Sequence, residues 1–389
     1  MDVSKCSQHI TSCDKQNHCS NYCYRVLELY SGIGGMRYAL EASELLFDVV
    51  AAVDMNPVVN EIYRHNFGIK GHYQRNLKSF TVKEIDDMKI DIITMSPPCQ
   101  PFTRVGLKKD IEDARSDSFL HIMKILVQLQ RKPSYIILEN VKGFEDSEAR
   151  NVLIKTLEQC NYRYQEFLLS PIGFGVPNSR LRYYMTAKLE SQPITTTDVK
   201  IFNIIPHSNY NWKSHCLKCI HSTYNMCSLK HHLEENSPDY FKPYLVPDHV
   251  LLKHWTVLDI VDETSNTCCC FTKAYSHYAQ GTGSIFVPIT DSLKVTEIFK
   301  QVACVDDNNS KLELLRNLGL RYFTPKEISN IMCFPDSFNF PSSITLRQKY
   351  KSLGNSLNVF VVTCLIQSLL KDEIFSKNCD NENEATEKE

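Results

Sequence analysis

The amino-acid sequence predicts an α/β fold built on a doubly wound parallel sheet. From Tyr24 to about Glu190, short apolar runs of strand length alternate with stretches of helical periodicity, which is the pattern of parallel βαβ units. Most of the apolar runs are nearly continuous, as strands are when helices cover both faces of their sheet. The alternation stops near Glu190 and returns over residues 321–370. We therefore expect a smaller, irregular region between two parts of one main domain.

The predicted elements follow each other in a simple order. The strand-like runs are YRVLELY, DVVAAVD, IDIITM, PSYIILENV, RYQEFLLSP and RLRYYMTAKL. The helical stretches are the amphipathic segment after SGIGGM, then NPVVNEIYRHNF, SFLHIMKILVQLQ and EARNVLIKTLEQC. Regular pattern returns in RYFTPKEISNIMCFP and RQKYKSLGNSLNVFVVTCLIQSLL.

These patterns divide the chain into five parts. Residues 1–24 are predicted to be a flexible N-terminal tail, and the acidic residues 372–389 a disordered tail. Residues 25–190 and 321–371 form the main domain, and residues 191–320, rich in Thr, Asn, Ser, His and Tyr, form the second region.

The composition is that of an ordinary globular protein. The 389 residues are 43% hydrophobic and 23% charged, with a formal net charge of −2, which neither indicates nor excludes a nucleic-acid partner. No apolar stretch is expected to span a membrane, and the N-terminus lacks the apolar core of a signal peptide. We expect an intracellular protein whose 16 cysteines are reduced rather than paired.

A single cysteine follows the third apolar run in the sequence MSPPCQPFT. The prolines fix φ and remove backbone donors, so the loop is stiff and cannot continue the sheet. Cys99 in such a loop is either a presented nucleophile or a buried, inert thiol.

A glycine-rich loop, SGIGGM, lies between the first strand and the first helix. Gly32, Gly34 and Gly35 let a ligand approach the backbone closely. The second strand ends in Asp54, at the spacing where a ribose-binding acid occurs in such folds. The loop is G-I-G-G rather than G-x-G-x-x-G, which weakens a nicotinamide interpretation, and no P-loop motif is present. The loop and acid predict a nucleotide-like cofactor or, alternatively, a tight turn only.

Chemically active residues recur where the predicted strands end. The carboxyl ends of parallel strands share one crevice, so it would collect Cys99, Glu139, Asn140, Arg180 and Arg182. These supply a thiol, a carboxyl group and two cations.

Taken in order, YSGIGG, SPPCQPFT, LENVKGF, NSRLR and LGNSLNV resemble the motif series of the cytosine-5 methyltransferases. The resemblance covers nearly all of residues 25–190 and 321–370. It implies a Rossmann-like, S-adenosylmethionine-dependent methyltransferase sheet, with residues 191–320 as a target-recognition domain. One departure is Asn178, where related enzymes often have Gln; this change puts only a supporting contact in doubt.

The resemblance also implies a mechanism. The Cys99 thiolate adds to C6 of cytosine, which makes C5 nucleophilic towards the methyl group of S-adenosylmethionine. Glu139, kept neutral by desolvation, donates a proton at N3. Arg182 holds the cytosine O2, and Arg180 supports Arg182. The cofactor residues implied are Tyr30, Ile33, Gly34, Gly35, Asp54, Met55, Leu77, Lys78, Ser96 and Asn355, of which Asn355 would also stabilise the cysteine loop.

Finer features resemble the branch of the family that methylates transfer RNA, acting on cytosine 38 in the anticodon loop of tRNA-Asp. The segment CFTKAYSHYAQGTGS carries this resemblance, and the chain lacks a long regulatory extension. A loop cytosine also costs less to extrude than a duplex cytosine. The expected partner is therefore tRNA, with a DNA substrate or a catalytically silent nucleic-acid-binding protein as the alternatives. The substrate-binding residues expected are Lys108, Lys109, Cys270, Phe271, Thr272, Lys273, Arg347, Lys349 and Lys351. The alternative for the cations is that they belong to an ordinary solvated surface. The alternative for Cys270 is that its thiol is simply packed in the core.

A metal site is not expected. The Cys/His-rich insertion could hold zinc through ligands drawn from Cys216, Cys219, His221, Cys227, His231 and His232, but its second half lacks regular ligand spacing. We further expect a monomer without a membrane partner, in the cytoplasm and also the nucleus.

Overall fold

The computed structural model describes residues 22–98, 117–193, 200–206 and 227–370. Several predictions lie outside these residues. They concern most of the N-terminal tail, the acidic C-terminal tail, Cys99, Lys108, Lys109, and the insertion residues Cys216, Cys219 and His221.

The centre of the described structure is an eight-stranded sheet with the order β3-β2-β1-β4-β5-β7-β6-β8. All its strands are parallel except β7, which is antiparallel to both of its neighbours. Its strands are β1 (Tyr24–Leu29), β2 (Phe47–Asp54), β3 (His72–Gln74), β4 (Ile92–Met95), β5 (Tyr135–Val141), β6 (Tyr162–Leu169), β7 (Arg182–Leu189) and β8 (Ile201–Phe202).

Helices cover both faces of this sheet. One face packs against α1 (Gly35–Ala42), α2 (Pro57–Phe67) and α12 (Val359–Leu369). The other packs against α3 (Val82–Met88), α4 (Asp117–Gln128) and α5 (Glu148–Gln159). The central strands are buried over nearly their whole length, because each side chain meets a helix on one face or the other. The predicted doubly wound α/β fold is confirmed.

The direction of β7 differs from the predicted all-parallel sheet. Strand β6 ends at Leu169 and β7 begins at Arg182, and the connection contains the short 3-10 turn Pro171–Phe174 in place of the α-helix that usually joins parallel neighbours. The chain therefore turns back, and β7 is inserted between β5 and β6.

The segment that follows the main sheet is more regular than predicted. It contains α6 (Pro238–Phe241), α7 (Asp248–His254), β9 (Ile260–Val261), β10 (Ile285–Phe286), α8 (Ser292–Cys304) and α9 (Asn308–Arg316). Asp291 and Asp307 cap α8 and α9 by accepting backbone N–H groups at their N-termini, which is a sequence signal for helix starts. A small sheet of order β11-β10-β9 connects this segment to β11 (Arg321–Tyr322).

A buried ion pair stabilises that connection. Arg321 donates from Nη1 and Nη2 to the two carboxylate oxygens of Glu327, both at 2.7 Å. The Arg321 guanidinium also lies 4.3 Å from the ring centre of Phe241 and 4.4 Å from that of Phe286. Glu327 lies on α10 (Pro325–Ile331), so the pair holds the small sheet against the returning main domain.

One stretch, Leu346–Leu369, is long and apolar enough to cross a membrane when only its length and composition are considered. This finding corrects the expectation that no apolar stretch could do so. The stretch contains α11 (Leu346–Gly354) and α12, and Asn358 caps α12 by accepting the Val361 N–H at 3.1 Å. Most of it is buried inside the protein, and α12 packs against α1. Its apolar character thus reflects a helix surrounded by core.

Candidate active site

The glycine loop and the end of β2 are joined through Asp54. The Gly32 N–H donates to Asp54 Oδ2 at 3.1 Å, and the Asn56 N–H donates to Oδ1 at 2.8 Å. Burial raises the pKa of the Asp54 carboxyl group, and these backbone donors oppose that shift. The carboxylate is therefore held at the carboxyl edge of the sheet, between β1 and β2.

The glycines of the loop serve different purposes. A Cβ on Gly34, whose φ is +87°, would lie 2.2 Å from the Phe67 ring, and a Cβ on Gly35 would lie 3.0 Å from Leu357. These two positions are therefore restricted by packing within the protein. At Gly32, whose φ is +54°, the nearest atom to a Cβ is a backbone oxygen at 3.9 Å, so this part of the loop leaves room for a ligand.

Side chains around the loop offer one exposed apolar surface. Met55, next to Asp54, is 65% exposed, whereas Ile33 is buried. Tyr30 has the left-handed φ of +56°, and its hydroxyl lies 2.9 Å from the Ser118 hydroxyl on α4. Tyr30 therefore ties the loop to the opposite face of the sheet, while Met55 remains available to a ligand.

The structure shows no feature of a cofactor site around three other predicted cofactor residues, as far as its described residues go. The Leu77 side chain is buried in the core beside α3 and α4. Lys78 Nζ lies 2.9 Å from Asp117 Oδ2 in an exposed ion pair. Asn355 is exposed just after α11. The structure thus accounts for Leu77 by packing and for Lys78 by its carboxylate partner.

Two buried hydroxyl groups at this edge suit a polar ligand. Ser31 Oγ, after β1, and Ser96 Oγ, after the adjacent β4, have no hydrogen-bond partner within the described part of the chain. Buried polar groups normally have partners. With the Asp54 carboxylate and the exposed Met55, they fit a ligand with hydroxyl groups and an apolar ring system, as S-adenosylmethionine has.

Glu139 and Arg182 meet at the end of β5. Glu139 is 8% exposed, and its Oε1 lies 3.7 Å from Arg182 Nε, which is too long for a hydrogen bond. Burial raises the pKa of the Glu139 carboxyl group, while Arg182 and then Arg180 oppose the shift. Strands β5 and β7 are paired side by side, so the sheet itself brings the acid and the cation together.

Arg180 is buried and donates to backbone carbonyls from other parts of the chain. It is 3% exposed, and its Nη1 donates to the Phe271 carbonyl at 3.1 Å. Its Nη2 donates to the backbone carbonyls of Gly354, at 3.3 Å, and Ser356. Arg180 therefore connects the segment just before β7 to two distant loops through their backbone carbonyls.

Cys270 lies within the same cluster. Its sulfur is 3.3 Å from Arg180 Nη1 and 3.5 Å from Arg182 Nη2. Burial alone would raise the pKa of the Cys270 thiol, but the two guanidinium groups outweigh burial and lower it. The structure thus brings Cys270, Arg180, Arg182 and Glu139 to one place.

The residues after Cys270 separate into buried and exposed ones. Phe271 packs edge-on against Tyr275 and Phe323 in the core, so its side chain is unavailable to a substrate. The Thr272 N–H donates to the Thr282 carbonyl at 2.9 Å and closes a compact loop. Lys273 is exposed at the start of that loop.

The cations predicted on α11 face different ways. Arg347 and Lys351 are exposed and four residues apart, which puts them on one side of the helix. Lys349 Nζ instead lies 5.6 Å from the ring centre of Phe340. Arg347 and Lys351 can therefore form a common basic surface.

The Cys/His insertion does not form a metal cluster among the residues that the structure describes. His232 is fully buried, its Nδ1 lies 3.2 Å from the Asn330 carbonyl, and its own carbonyl accepts from Asn330 Nδ2 at 3.0 Å. This histidine therefore attaches the insertion to α10.

The structure adds contacts for two residues of the site to which the motifs assigned no role. Asn140 Nδ2 donates to the Pro97 carbonyl at 3.4 Å, which links the end of β5 to the proline loop before Cys99. Tyr184 lies on the same face of β7 as Arg182, opposite Glu139 in the register. Strand alternation from Arg182 would have placed it there.

Comparison with known proteins identifies the family. The model for the C-5 cytosine-specific DNA methylases matches residues 24–371. A Spodoptera frugiperda protein named tRNA (cytosine(38)-C(5))-methyltransferase is 45% identical over 363 residues, covering 90% of this chain and 99% of that protein. The human protein of the same name is 41% identical over 389 residues, covering 89% and 98%. A Dictyostelium discoideum relative named DNA (cytosine-5)-methyltransferase is 36% identical, covering 89% and 94%.

The architecture agrees with these relatives. A crystal structure of a Spodoptera frugiperda DNMT2 mutant matches with a TM-score of 0.76 and 44% identity, covering 89% of this chain and 99% of the other. The family resemblance inferred from the motifs is thus confirmed over most of the chain, and this chain belongs to the C-5 cytosine-specific DNA methylase family.

Proposed function

We propose that this chain transfers a methyl group from S-adenosylmethionine to C5 of a cytosine in tRNA, specifically cytosine 38 in the anticodon loop of tRNA-Asp. The observation that carries the proposed chemistry is the buried Glu139 carboxyl group beside Arg182 at the carboxyl edge of the sheet. The relatives named as tRNA (cytosine(38)-C(5))-methyltransferases support the substrate.

The proposed reaction gives each side chain a role. Cytosine C5 is a poor nucleophile until the Cys99 thiolate adds to C6. Glu139, whose carboxyl pKa is raised by burial, donates a proton to N3 as the ring becomes electron-rich. Arg182 donates to the cytosine O2 from its position beside Glu139. After C5 has gained the methyl group, loss of the C5 proton and return of the N3 proton to Glu139 restore the ring and expel the Cys99 thiolate.

S-adenosylmethionine, when bound, supplies the methyl group as an electrophile. We assign the Asp54 carboxylate to its ribose hydroxyls and Met55 to the adenine face, because these are the fixed acid and the exposed apolar side chain at this edge. The unpartnered hydroxyls of Ser31 and Ser96 would bind its polar groups.

Exposed cations around the site support a nucleic-acid substrate. A Cβ on Gly354 would lie 2.3 Å from the Lys273 backbone nitrogen, so the segment carrying Lys273 lies directly against the end of α11. Lys273, Arg347 and Lys351 are thus exposed cations on adjoining segments, and they are assigned to phosphate contacts.

The proposal also includes the oligomeric state and the location of the protein, which we propose to be a monomer in the cytoplasm and nucleus. Light scattering would test the first and cell fractionation the second.

The direct test is transfer of a labelled methyl group to a tRNA-Asp transcript and to duplex DNA in parallel. We expect incorporation into tRNA alone. Cys99→Ala should abolish turnover and leave cofactor binding nearly unchanged, whereas Glu139→Gln should reduce the rate by about 10²- to 10⁴-fold. Methylation by the Cys99 variant would show that the nucleophile is wrongly assigned.

A DNA substrate is the second candidate, favoured by the family's name and by the Dictyostelium relative. RNA and DNA containing 5-fluorocytosine distinguish the two, because this base has no removable proton at C5 and traps the covalent adduct. An adduct with DNA alone would replace the tRNA proposal and keep the mechanism. No adduct with either would indicate a silent nucleic-acid-binding protein.

A further inference from the structure

We propose that the Tyr184 hydroxyl is a positioning group, which fixes the orientation of the Glu139 carboxyl group so that its proton faces the cytosine ring. This inference rests on the function proposed above.

The geometry of the sheet places Tyr184 next to the acid. Tyr184 on β7 is paired with Glu139 on β5 in the antiparallel register, and such directly opposite side chains lie on the same face of a sheet as close neighbours. Tyr184 is fully buried, and among the described residues its hydroxyl has no hydrogen-bond partner. A buried hydroxyl without a partner is uncommon, and here it lies within the cluster that contains Glu139.

Among the side chains of this cluster, Glu139 is left as the acceptor for this hydroxyl. Burial and the nearby Glu139 raise the pKa of Tyr184, so the phenol is neutral and can donate. Guanidinium groups have no acceptor atoms, which excludes Arg180 and Arg182. The Cys270 sulfur already accepts from both arginines. The Glu139 carboxyl group therefore remains.

A hydrogen bond from Tyr184 would decide which carboxyl oxygen carries the proton. A neutral carboxyl group has one O–H donor and one carbonyl acceptor. If Tyr184 donates to the carbonyl oxygen, the other oxygen must carry the proton and present it to cytosine N3. Because the structure shows no such bond among its described residues, we expect it to form as the substrate closes the site.

Tyr184→Phe tests this role in methyl transfer to tRNA-Asp. We expect kcat to fall by about tenfold, the effect of one lost hydrogen bond, with KM for tRNA unchanged. We also expect the alkaline limb of the pH–rate profile to move to higher pH, because a donor to the carboxyl group favours its ionised form and is now absent. In a Glu139→Gln background the same substitution should have little further effect.

Stability separates this role from simple packing. Tyr184→Phe removes a buried hydroxyl with no partner, so the melting temperature should stay unchanged or rise. The control is the adjacent Tyr183→Phe, because the Tyr183 hydroxyl donates to Glu166 at 2.6 Å on the other face of the sheet. This control should lower the melting temperature and leave kcat unchanged.

The outcomes are distinguishable. If the unmodified protein methylates tRNA and Tyr184→Phe retains its kcat and pH profile, the assignment of Tyr184 is overturned and the proposed function stands. If the unmodified protein methylates neither tRNA nor DNA, the proposed function fails, and this assignment fails with it.

Discussion

A buried carboxyl group beneath the glycine loop predicts an unusual pH dependence of stability. Glu28 on β1 is fully buried, its Oε2 accepts from the Tyr63 hydroxyl at 2.8 Å, and its Oε1 has no partner among the described residues. Burial raises the pKa of Glu28 from 4.5 to about 7, although Tyr63 and Arg37 oppose the shift and Asp54 adds to it. The folded protein therefore keeps this carboxyl group protonated at pH values where the unfolded chain ionises it.

The magnitude follows from the shift. As pH rises from 4.5 to about 7, the contribution of Glu28 to the free energy of unfolding should fall by about 3 kcal/mol, at about 1.4 kcal/mol for each pH unit. This contribution to stability is fully present below the unfolded pKa and is lost as pH rises through the folded pKa.

A neighbouring histidine conceals the effect. His72 stacks on Tyr63 with ring centres 4.8 Å apart, and burial, then Arg64, lower the pKa of His72 from 6.5 to about 4. This depressed pKa gives the opposite trend, because stability falls as pH drops from 6.5 to about 4. The two contributions nearly cancel between about pH 4.5 and 6.5.

The assay is urea unfolding of the unmodified protein and Glu28→Gln at several pH values from 4.5 to 8. The difference in unfolding free energy between the two should change by about 3 kcal/mol over this range in favour of the variant. Asp48→Asn, an exposed carboxyl group at the start of β2, is the control and should give a nearly constant difference. A constant difference for Glu28→Gln as well would show that burial does not raise the pKa of Glu28 in the folded protein.

Three further predictions concern the contacts that position the site. Gly354→Ala places a Cβ 2.2 Å from the backbone of a neighbouring loop, so it should lower the unfolding free energy by about 1–3 kcal/mol and abolish methyl transfer. Gly173→Ala, with nothing within 4 Å, should change neither, and equal effects would contradict the packing argument. Asp54→Asn should weaken S-adenosylmethionine binding by roughly ten- to a hundredfold in calorimetry, whereas an unchanged affinity would remove Asp54 from the cofactor site. Arg321→Met should cost about 3–5 kcal/mol in urea unfolding, because Glu327 stays buried and uncompensated, and a variant of unchanged stability would exclude this role.

The local sequence was sufficient for the elements of the sheet. Apolar runs predicted six of the strands close to their observed ends, because a strand between two helix layers needs apolar residues on both faces. The predicted sheet was wrong about β7, whose direction depends on the short connection from β6. The short strand β3 was missed because three residues carry too little pattern.

The contacts of the two arginines could not be predicted from the sequence. The R-x-R motif predicted two cations near Glu139, and their positions on one strand end explain why both are there. Whether each guanidinium faces Glu139 or a backbone carbonyl depends on loops far away in the chain. Arg180 donates to Gly354 and Phe271, and no local pattern relates these positions.

Periodicity and motif spacing are local properties, so they were enough to predict the fold class, the family and the chemical groups at the carboxyl edge of the sheet. The pairing of those groups became visible only in the folded protein. It buried Glu139 beside Arg182, brought Cys270 between two guanidinium groups, and set the Tyr184 hydroxyl among them. The physical reason is that burial and electrostatic pairing depend on contacts between residues distant in sequence, and these contacts form only when the sheet, α11 and the loop after Cys270 pack together.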